Sequence, residues 1–408
     1  MTRNAETLNI VGPEAIADPQ TFFGRLRDSQ PIYWDPLYRS WVVTSHQHIS
    51  ALMRDERVSS DRINPYIRRK LTGPEVNPLV RQAFETLARW MVFQDDPGHA
   101  RLRVLVNKAF TAKSVSLLRE RCETLCDELL DKVPPSGEFD IMEAVAAPIP
   151  SVIIAERLGV PVADRPRFES WTRKVAPLVS GGLEDSGRYE SAAAGMDELI
   201  RYIKGLMDRY REQPEDNLIM DLLKARENDD SLSEAEIIAT CTLVLFGGHE
   251  TTANFIVNSL VALLRHPDQW ARLRDGEVDD ANAIEELLRF DSPAKALTRV
   301  VREGFEYEGF HFKTGDRIFL ILASANRDPA VFEHPNRLDL GRDVGRRHMG
   351  FGYGVHFCMG APLARLEGTI AIPKIVRRLP TLRLADRPLD WIPVLLTRGQ
   401  HSLHVFAS

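Results

Sequence analysis

Four cysteines in 408 residues, Cys122, Cys126, Cys241 and Cys358, are too few to staple a chain of this size. No CxxC pair occurs among them, which leaves no ready zinc cluster. Long apolar runs are missing as well. The longest, Ile237 to Gly248, reaches about 12 residues before His249 and Glu250, short of the roughly 20 that span a bilayer. Met1 to Glu6 lack the apolar stretch of a secretory signal. Positive charge is not in excess: 52 Lys and Arg against 58 Asp and Glu leave −6, so no nucleic-acid partner is expected. Repeats, low-complexity tracts and long linkers are absent too. What remains is 44% hydrophobic and 27% charged, an ordinary globular composition. A cytoplasmic protein with no membrane anchor is expected.

The elements are mostly helical. Arg39 to Thr44 reads as a strand, β-branched and aromatic. Helical spacing follows at His99 to Phe110, Ser116 to Leu130, Ser151 to Leu158, Met196 to Tyr210 and Asn217 to Ala225. Ser233-Glu234-Ala235-Glu236 is a capping box opening the longest helical pattern, which stops at Arg265 before Pro267. Glu306 to Phe312 reads as a hairpin, Arg317 to Leu322 as a strand or strand-to-helix transition, and Leu403 to Phe406 as a short strand. The expected fold class is mainly α with small β-sheets, as a single domain over residues 1–408. A β-rich portion lies near the N-terminus, and a helical core covers about residues 95–300.

Phe351-Gly352-Tyr353-Gly354-Val355-His356-Phe357-Cys358-Met359-Gly360 places one cysteine among glycines, just before the helical run Ala361 to Glu367. Glycines let backbone amides approach a sulfur. The amides of a helix N-terminus favour an anion, and both effects stabilise a thiolate. Cysteine suits iron, copper(I) or zinc, but no second ligand set stands beside this one. A lone thiolate suits haem, whose macrocycle supplies the in-plane donors. Two bland alternatives compete: an inert cysteine, and a phosphate cradle. The second fails as GxGxxG, because Phe357 holds the third glycine position. Cys122 and Cys126, i and i+4 on a helix, read as small buried hydrophobes.

The pattern Phe-Gly-x-Gly-x-His-x-Cys-x-Gly-x-x-Leu-Ala, residues 351–364, resembles the haem-binding signature of the cytochrome P450 family. The chain is similar to the soluble bacterial type, in a macrolide or secondary-metabolite-like subgroup, with a triangular-prism-like fold and a haem-ligand loop at 350–360. The resemblance implies Cys358 as the ligand of haem b, with Phe351, Gly352 and Gly360 forming the loop. It implies His99 and Arg103, i and i+4 on one helix, with Arg299 and His356, as partners of the haem propionates. Glu286-Leu287-Leu288-Arg289 matches the family's Glu-x-x-Arg helix, which implies a buried ionic triad of Glu286, Arg289 and Arg337.

Gly247-Gly248-His249-Glu250-Thr251-Thr252 is expected to interrupt the longest helix, since two glycines mid-helix cost about 1 kcal/mol each. Close packing of another element is the competing reading. His249-Glu250 also begins HExxH, but Ala253 stands where the second histidine is needed, which excludes that zinc site. The stretch resembles the family's Gly-x-Glu-Thr segment, where the helix bulges to admit dioxygen, the co-substrate. The resemblance implies that Thr251 hydrogen-bonds at the oxygen site and Glu250 relays protons.

By the same register the substrate pocket involves Trp90, Phe93, Leu243, Gly247, Ala294, Leu297 and Leu396, together with Leu178 and Val179, though each reads equally as plain core. The implied reaction is monooxygenation, most simply hydroxylation, of a hydrophobic small molecule: a terpenoid, polyketide, fatty acid or aromatic. Demethylation, ring formation and aryl coupling are the alternatives, and non-catalytic haem binding or sensing is a further one. Lys295 and Arg398 read as solvated cations beside the pocket segments. With no cysteine cluster and no Rossmann fingerprint, electrons are expected from a ferredoxin and its ferredoxin reductase. Arg342, Arg346, Arg347, Lys108 and Lys113 are candidates to steer that acidic partner. A monomer is expected.

Overall fold

The strand read at Arg39 to Thr44 is real and sits inside a sheet. Ser40–Val43 pairs antiparallel with Ile32–Asp35 and parallel with Arg317–Leu320. The last pairs antiparallel with Leu297–Val301, which pairs with Val58–Ser59 at the edge. The computed structural model describes residues 8–110, 112–180, 186–228, 230–345 and 347–408. Strand side chains alternate between faces, and the core follows that alternation. Trp41, Val43, Ile318 and Leu320 join one apolar cluster, while Val42 and Phe319 join another.

The chain divides into two compact units. One comprises Met1–Ser59, Cys122–Pro148 and Thr251–Ser408; the other comprises Ser60–Arg121 and Ile149–Glu250. The first holds the five-stranded sheet and a second sheet ordered Arg383–Leu384, His404–Ala407, Gly137–Asp140. It also holds the expected hairpin, Phe305–Tyr307 against Phe310–Phe312. Glu308 and Gly309 take φ of 52° and 79° there, the double positive φ that a tight hairpin turn needs. The second unit is helical around a core that includes Ile63, Phe84, Trp90, Phe93, Leu178 and Met196.

Helix starts follow their caps. Asn217 accepts from Met220 N at 3.0 Å and opens Leu218–Lys224. The Ser233–Glu236 box closes in both directions, with Ser233 N donating to Glu236 at 2.8 Å and Glu236 N to Ser233 Oγ at 3.3 Å. The helix it opens, Glu234–Leu264, runs 31 residues without a break. The expected interruption at Gly247-Gly248 does not occur; the remaining residues hold the helix through both glycines.

Three boundaries differ from expectation. Pro148–Leu158 begins three residues early because Pro148 and Pro150 fall in its first turn, where proline is tolerated. Arg119–Leu130 begins three residues late. Ser186–Glu212 begins ten residues earlier than Met196, since Ala192 and Ala193 hide the apolar period behind small side chains. Those alanines are buried, and a Cβ on nearby Gly195 would lie 2.7 Å from Lys174 Cβ, so small residues here allow close approach of Arg165–Ser180. Among the described residues no helix is long and apolar enough to cross a membrane.

Candidate active site

The cysteines divide sharply. Cys122, Cys126 and Cys241 are buried, and burial pushes the thiols of Cys126 and Cys241 up to about 12, so they are inert. Cys358 is exposed. Its loop is shaped by two left-handed glycines, Gly352 at φ 75° and Gly354 at φ 72°. Cys358 N donates to Phe351 O at 2.9 Å, Phe357 N to Gly354 O at 3.0 Å, and Gly352 N to Met349 O at 2.9 Å. The helix Ala361–Arg378 starts at once, with Gly360 at its cap and Pro362 in the first turn. A Cβ on Gly360 would lie 3.8 Å from Cys358 Sγ, so the glycine leaves the sulfur accessible. His356 is half-buried in the turn Gly354–His356.

Behind the loop stands the helix Asp280–Phe290, capped by Asp279. Glu286 and Arg289 are fully buried and paired twice, at 2.6 Å and 2.8 Å. The third member is not the Arg337 side chain, which is exposed. Arg342 Nε donates to Glu286 at 3.2 Å instead, and Asp339 N donates at 3.0 Å. Arg337 contributes only its carbonyl, accepting from Arg289 at 3.3 Å. The rest of the half-buried Arg342 guanidinium donates to the carbonyls of Glu333, His334 and Arg337.

The other proposed docking cations fare variously. Lys108 pairs with Glu227. Arg347 is exposed and lies 5.6 Å from the Phe332 ring centre. Arg346 and the side chain of Lys113 lie outside the described residues.

His99 and Arg103 lie on Gly98–Ala109. His99 is buried, and burial lowers its pKa, with Asp96 at 3.2 Å opposing and Arg103 reinforcing. Arg299 lies opposite Ile318 on the sheet and is also buried. Leu297 Cδ1 lies 3.8 Å from where a Gly352 Cβ would stand, which brings this expected pocket residue to the cysteine loop.

In the long helix the two glycines part company. A Cβ on Gly248 would meet Ile154 Cδ1 at 2.1 Å, whereas Gly247 has open space. Packing therefore explains one glycine and leaves the other as a gap in the helix surface. Glu250 and Thr251 are half-buried.

Glu367 was missed from sequence. It is fully buried on Ala361–Arg378, and burial pushes its pKa up to about 8, with the Thr252 hydroxyl opposing. Its Oε1 has no hydrogen-bond partner among the described residues. The signal was present, an acid beside Leu366 and Gly368 on an apolar face.

Trp90 and Phe93 stack with centroids 6.0 Å apart, and Trp90 Nε1 donates to Thr242 Oγ1 at 2.8 Å. Both rings are buried core, with half-buried Leu243 and Phe246 against them. Elsewhere Leu396 O accepts from Lys295 N and Ala296 N, and Ala294 bridges Thr397, so two of the segments expected to line the pocket lie side by side though distant in sequence.

Lys295 and Arg398 are not solvated, contrary to expectation. Lys295 is buried, donates to Val394 O at 2.7 Å, and is pushed down to about 7 by burial and by Arg398. Arg398 pairs with Asp291 at 3.1 Å and donates to Ile16 O at 2.6 Å. Both cations tie the chain to itself.

The signature loop, the Glu286–Arg289 pair and the helical architecture now stand together, and a family profile, Cytochrome P450, matches residues 67–386. The chain belongs to the cytochrome P450 family. It is 35% identical to the polyketide biosynthesis cytochrome P450 PksS of Bacillus subtilis, over 97% of this chain and 98% of that protein. The PksS structure superposes with a TM-score of 0.88 over 98% of this chain and 100% of that one. The cytochrome P450 monooxygenase PikC of Streptomyces venezuelae is 36% identical over 98% of this chain and 93% of its own. The structure of P450BioI, in complex with hexadec-9Z-enoic acid ligated acyl carrier protein, is 31% identical. It covers 97% of this chain and 99% of that one, with a TM-score of 0.87.

Membership makes this a P450-type monooxygenase chain, and the family implies a haem-thiolate cofactor and use of dioxygen. The residues fit that group. Cys358 is an exposed thiol at a helix N-terminus, its cradle leaves the sulfur accessible, and glycine is required at two left-handed positions beside it.

Proposed function

We propose that this chain hydroxylates a hydrophobic small molecule of secondary metabolism, a polyketide or a related lipid-like compound, in the cytoplasm and as a monomer. The observation that carries the reading is Cys358, the exposed cysteine in a glycine cradle at the start of Ala361–Arg378. Haem b bound there supplies an iron whose thiolate ligand favours O–O cleavage.

The chain's own groups do the rest. Backbone amides at the head of the helix hold Cys358 as thiolate. His99, Arg103, Arg299 and His356 meet the propionates with cationic or N–H donors. Glu250 takes protons from solvent and passes them inward, while the Thr251 hydroxyl donates where oxygen is reduced. Gly247 leaves room on the helix surface. Ala294, Leu297 and Leu396 offer apolar surface in one unit, and Leu243 against the Trp90–Phe93 cluster in the other, suited to exclude water and orient the substrate. Electrons come from a ferredoxin reduced by its reductase.

The test has two stages. The reduced carbon monoxide complex of the purified protein is expected to show the Soret position of thiolate ligation, and Cys358→Ala to abolish it. Polyketides, terpenoids and fatty acids are then screened for the haem spin-state change that follows displacement of water. A wild-type protein without the thiolate band overturns the reading.

A second delivery route is favoured by Arg68, Arg69 and Lys70. They end the helix Ile63–Lys70, are exposed, and have no ion pair among the described residues. Such a patch suits an acidic carrier protein bearing the substrate, and the P450BioI structure is a complex with a fatty-acid-ligated acyl carrier protein. Binding of a palmitoyl-loaded acyl carrier protein that weakens with salt, when free palmitate does not, supports this route. Equal salt dependence for both overturns it.

A further inference from the structure

Glu286 has a neighbour, Glu285, that the family reading leaves without a task. Glu285 projects from the same helix, Asp280–Phe290, into a different network. Arg365 grips it with two hydrogen bonds, Nε to Oε1 at 2.6 Å and a terminal nitrogen to Oε2 at 2.9 Å. His348 Nε2 lies 2.9 Å from Oε2. Burial works against the charge, yet the bonds from Arg365 and His348 win and hold the Glu285 carboxyl down at about 2.

The protonation pattern of His348 follows from its other bond. Gly350 N–H, which can only donate, points at His348 Nδ1 at 3.1 Å. Nδ1 is therefore the acceptor, Nε2 carries the hydrogen, and it donates to Glu285. The His348 side chain is 2% exposed, so this polarity is fixed by the interior. Gly350 is closely packed: a Cβ there would lie 3.0 Å from both His348 Nδ1 and Leu288 O. Its carbonyl accepts from Ser292 Oγ at 3.2 Å, and Met349 N donates to Asn326 Oδ1 at 2.6 Å.

The second arm reaches the next residue. The Arg365 guanidinium stands 4.6 Å from the Phe351 ring centre, and Phe351 packs edge-on to Phe357 at 6.1 Å. Phe351 O is the acceptor for Cys358 N. One carboxylate thus holds Gly350 through His348 and Phe351 through Arg365, and those two residues seat the cysteine.

We propose that Glu285, acting through His348 and Arg365, is a positioning residue that holds the Cys358 loop in its thiolate-ligating form. The task is distinct from that of Glu286, which ties down Arg289, Arg342 and the segment at Asp339. The inference rests on Cys358 as the haem ligand.

The test measures conversion of the reduced carbon monoxide complex from the thiolate-ligated spectrum to the thiol-ligated one, in the haem-loaded protein. Glu285→Gln is expected to speed conversion about tenfold, the effect of losing a charged partner. Two substitutions of His348 break the chain at different links. His348→Asn keeps an acceptor for Gly350 N–H but is too short to reach Glu285, and His348→Gln keeps a donor toward Glu285 but loses the Gly350 acceptor; each is expected to convert about tenfold faster than wild type. A Glu285→Gln or a His348→Asn protein that converts at the wild-type rate overturns the proposal. His348→Asn decides the matter even if Glu285→Gln fails to take up haem. A wild-type spectrum without the thiolate band would instead reject Cys358 as the ligand, and is recognised before any variant is compared.

Discussion

Hydrogen bonds with assigned donors and acceptors hold Met349, Gly350, Gly352, Phe357 and Cys358. Apolar contact holds Ile63, Phe84, Trp90, Leu178 and Met196. The side-chain acceptors Asn326 and His348 and the left-handed Gly352 and Gly354 demand particular residues, so the first region admits few substitutions. Dispersion and burial demand only shape and volume, so the second admits many. A family can therefore share the chemistry of one region while its members differ in the other, beside which we propose that substrate is held.

The largest test of this contrast is an isosteric change on the polar side. Glu286→Gln keeps the volume but breaks a buried ion pair, and is expected to cost about 3–5 kcal/mol and most of the haem content. Denaturant titration and haem absorbance check it. Arg342→Ala should follow in the same direction, while Arg337→Ala, exposed and contributing only a carbonyl, should stay within about 0.5 kcal/mol of wild type. Equal effects from the two arginines would break the account of the triad.

A smaller effect separates the two glycines of the long helix. Gly248→Ala drives a methyl into Ile154 and is expected to cost about 1–3 kcal/mol. Gly247→Ala meets nothing and is expected to stabilise the helix by up to about 1 kcal/mol, while filling space the proposed chemistry uses. Thermal melts and oxygen-dependent turnover read the two effects separately.

Below these lies an electrostatic pair of opposite sign. The Glu367 carboxyl is raised from 4.5 to about 8, so between those values the unfolded chain has lost a proton that the folded one keeps, and stability falls as pH rises. Glu285 is lowered from 4.5 to about 2, so its contribution is complete above 4.5 and is lost as pH falls toward 2. Urea unfolding from pH 5 to 8 should show a decline of up to about 1 kcal/mol per pH unit that Glu367→Gln removes. An unchanged slope in that variant would mean Glu367 ionises normally.

The smallest effect belongs to the apolar side. Leu243→Met conserves volume and is expected to cost less than about 1.5 kcal/mol, leave the carbon monoxide spectrum unchanged, and alter which compounds shift the haem spin state. A lost thiolate band here would erase the distinction between the regions.

Much of this was legible in the chain itself. Cys358 could be found because its cradle is local: Gly352, Gly354, Gly360 and the helix start lie within ten residues of it. The hairpin at Glu308-Gly309 and the capping box at Ser233 were readable for the same reason. Ser186–Glu212 was half-hidden because Ala192 and Ala193 bury surface without an apolar signal. Lys295 and Arg398 were misread as solvated because their partners, Val394, Asp291 and Ile16, come from elsewhere in the chain.

The sequence alone determined the glycine cradle around Cys358, the family and several of the helices, since each depends on neighbours along the chain. Only the tertiary structure decided that Arg342 answers Glu286, that Gly248 packs while Gly247 stays open, and that Glu285 serves the cysteine loop through His348 and Arg365. Those choices depend on which side chains reach a buried carboxylate or a crowded helix face through space, and the free energy of burial is settled there, among residues far apart in sequence.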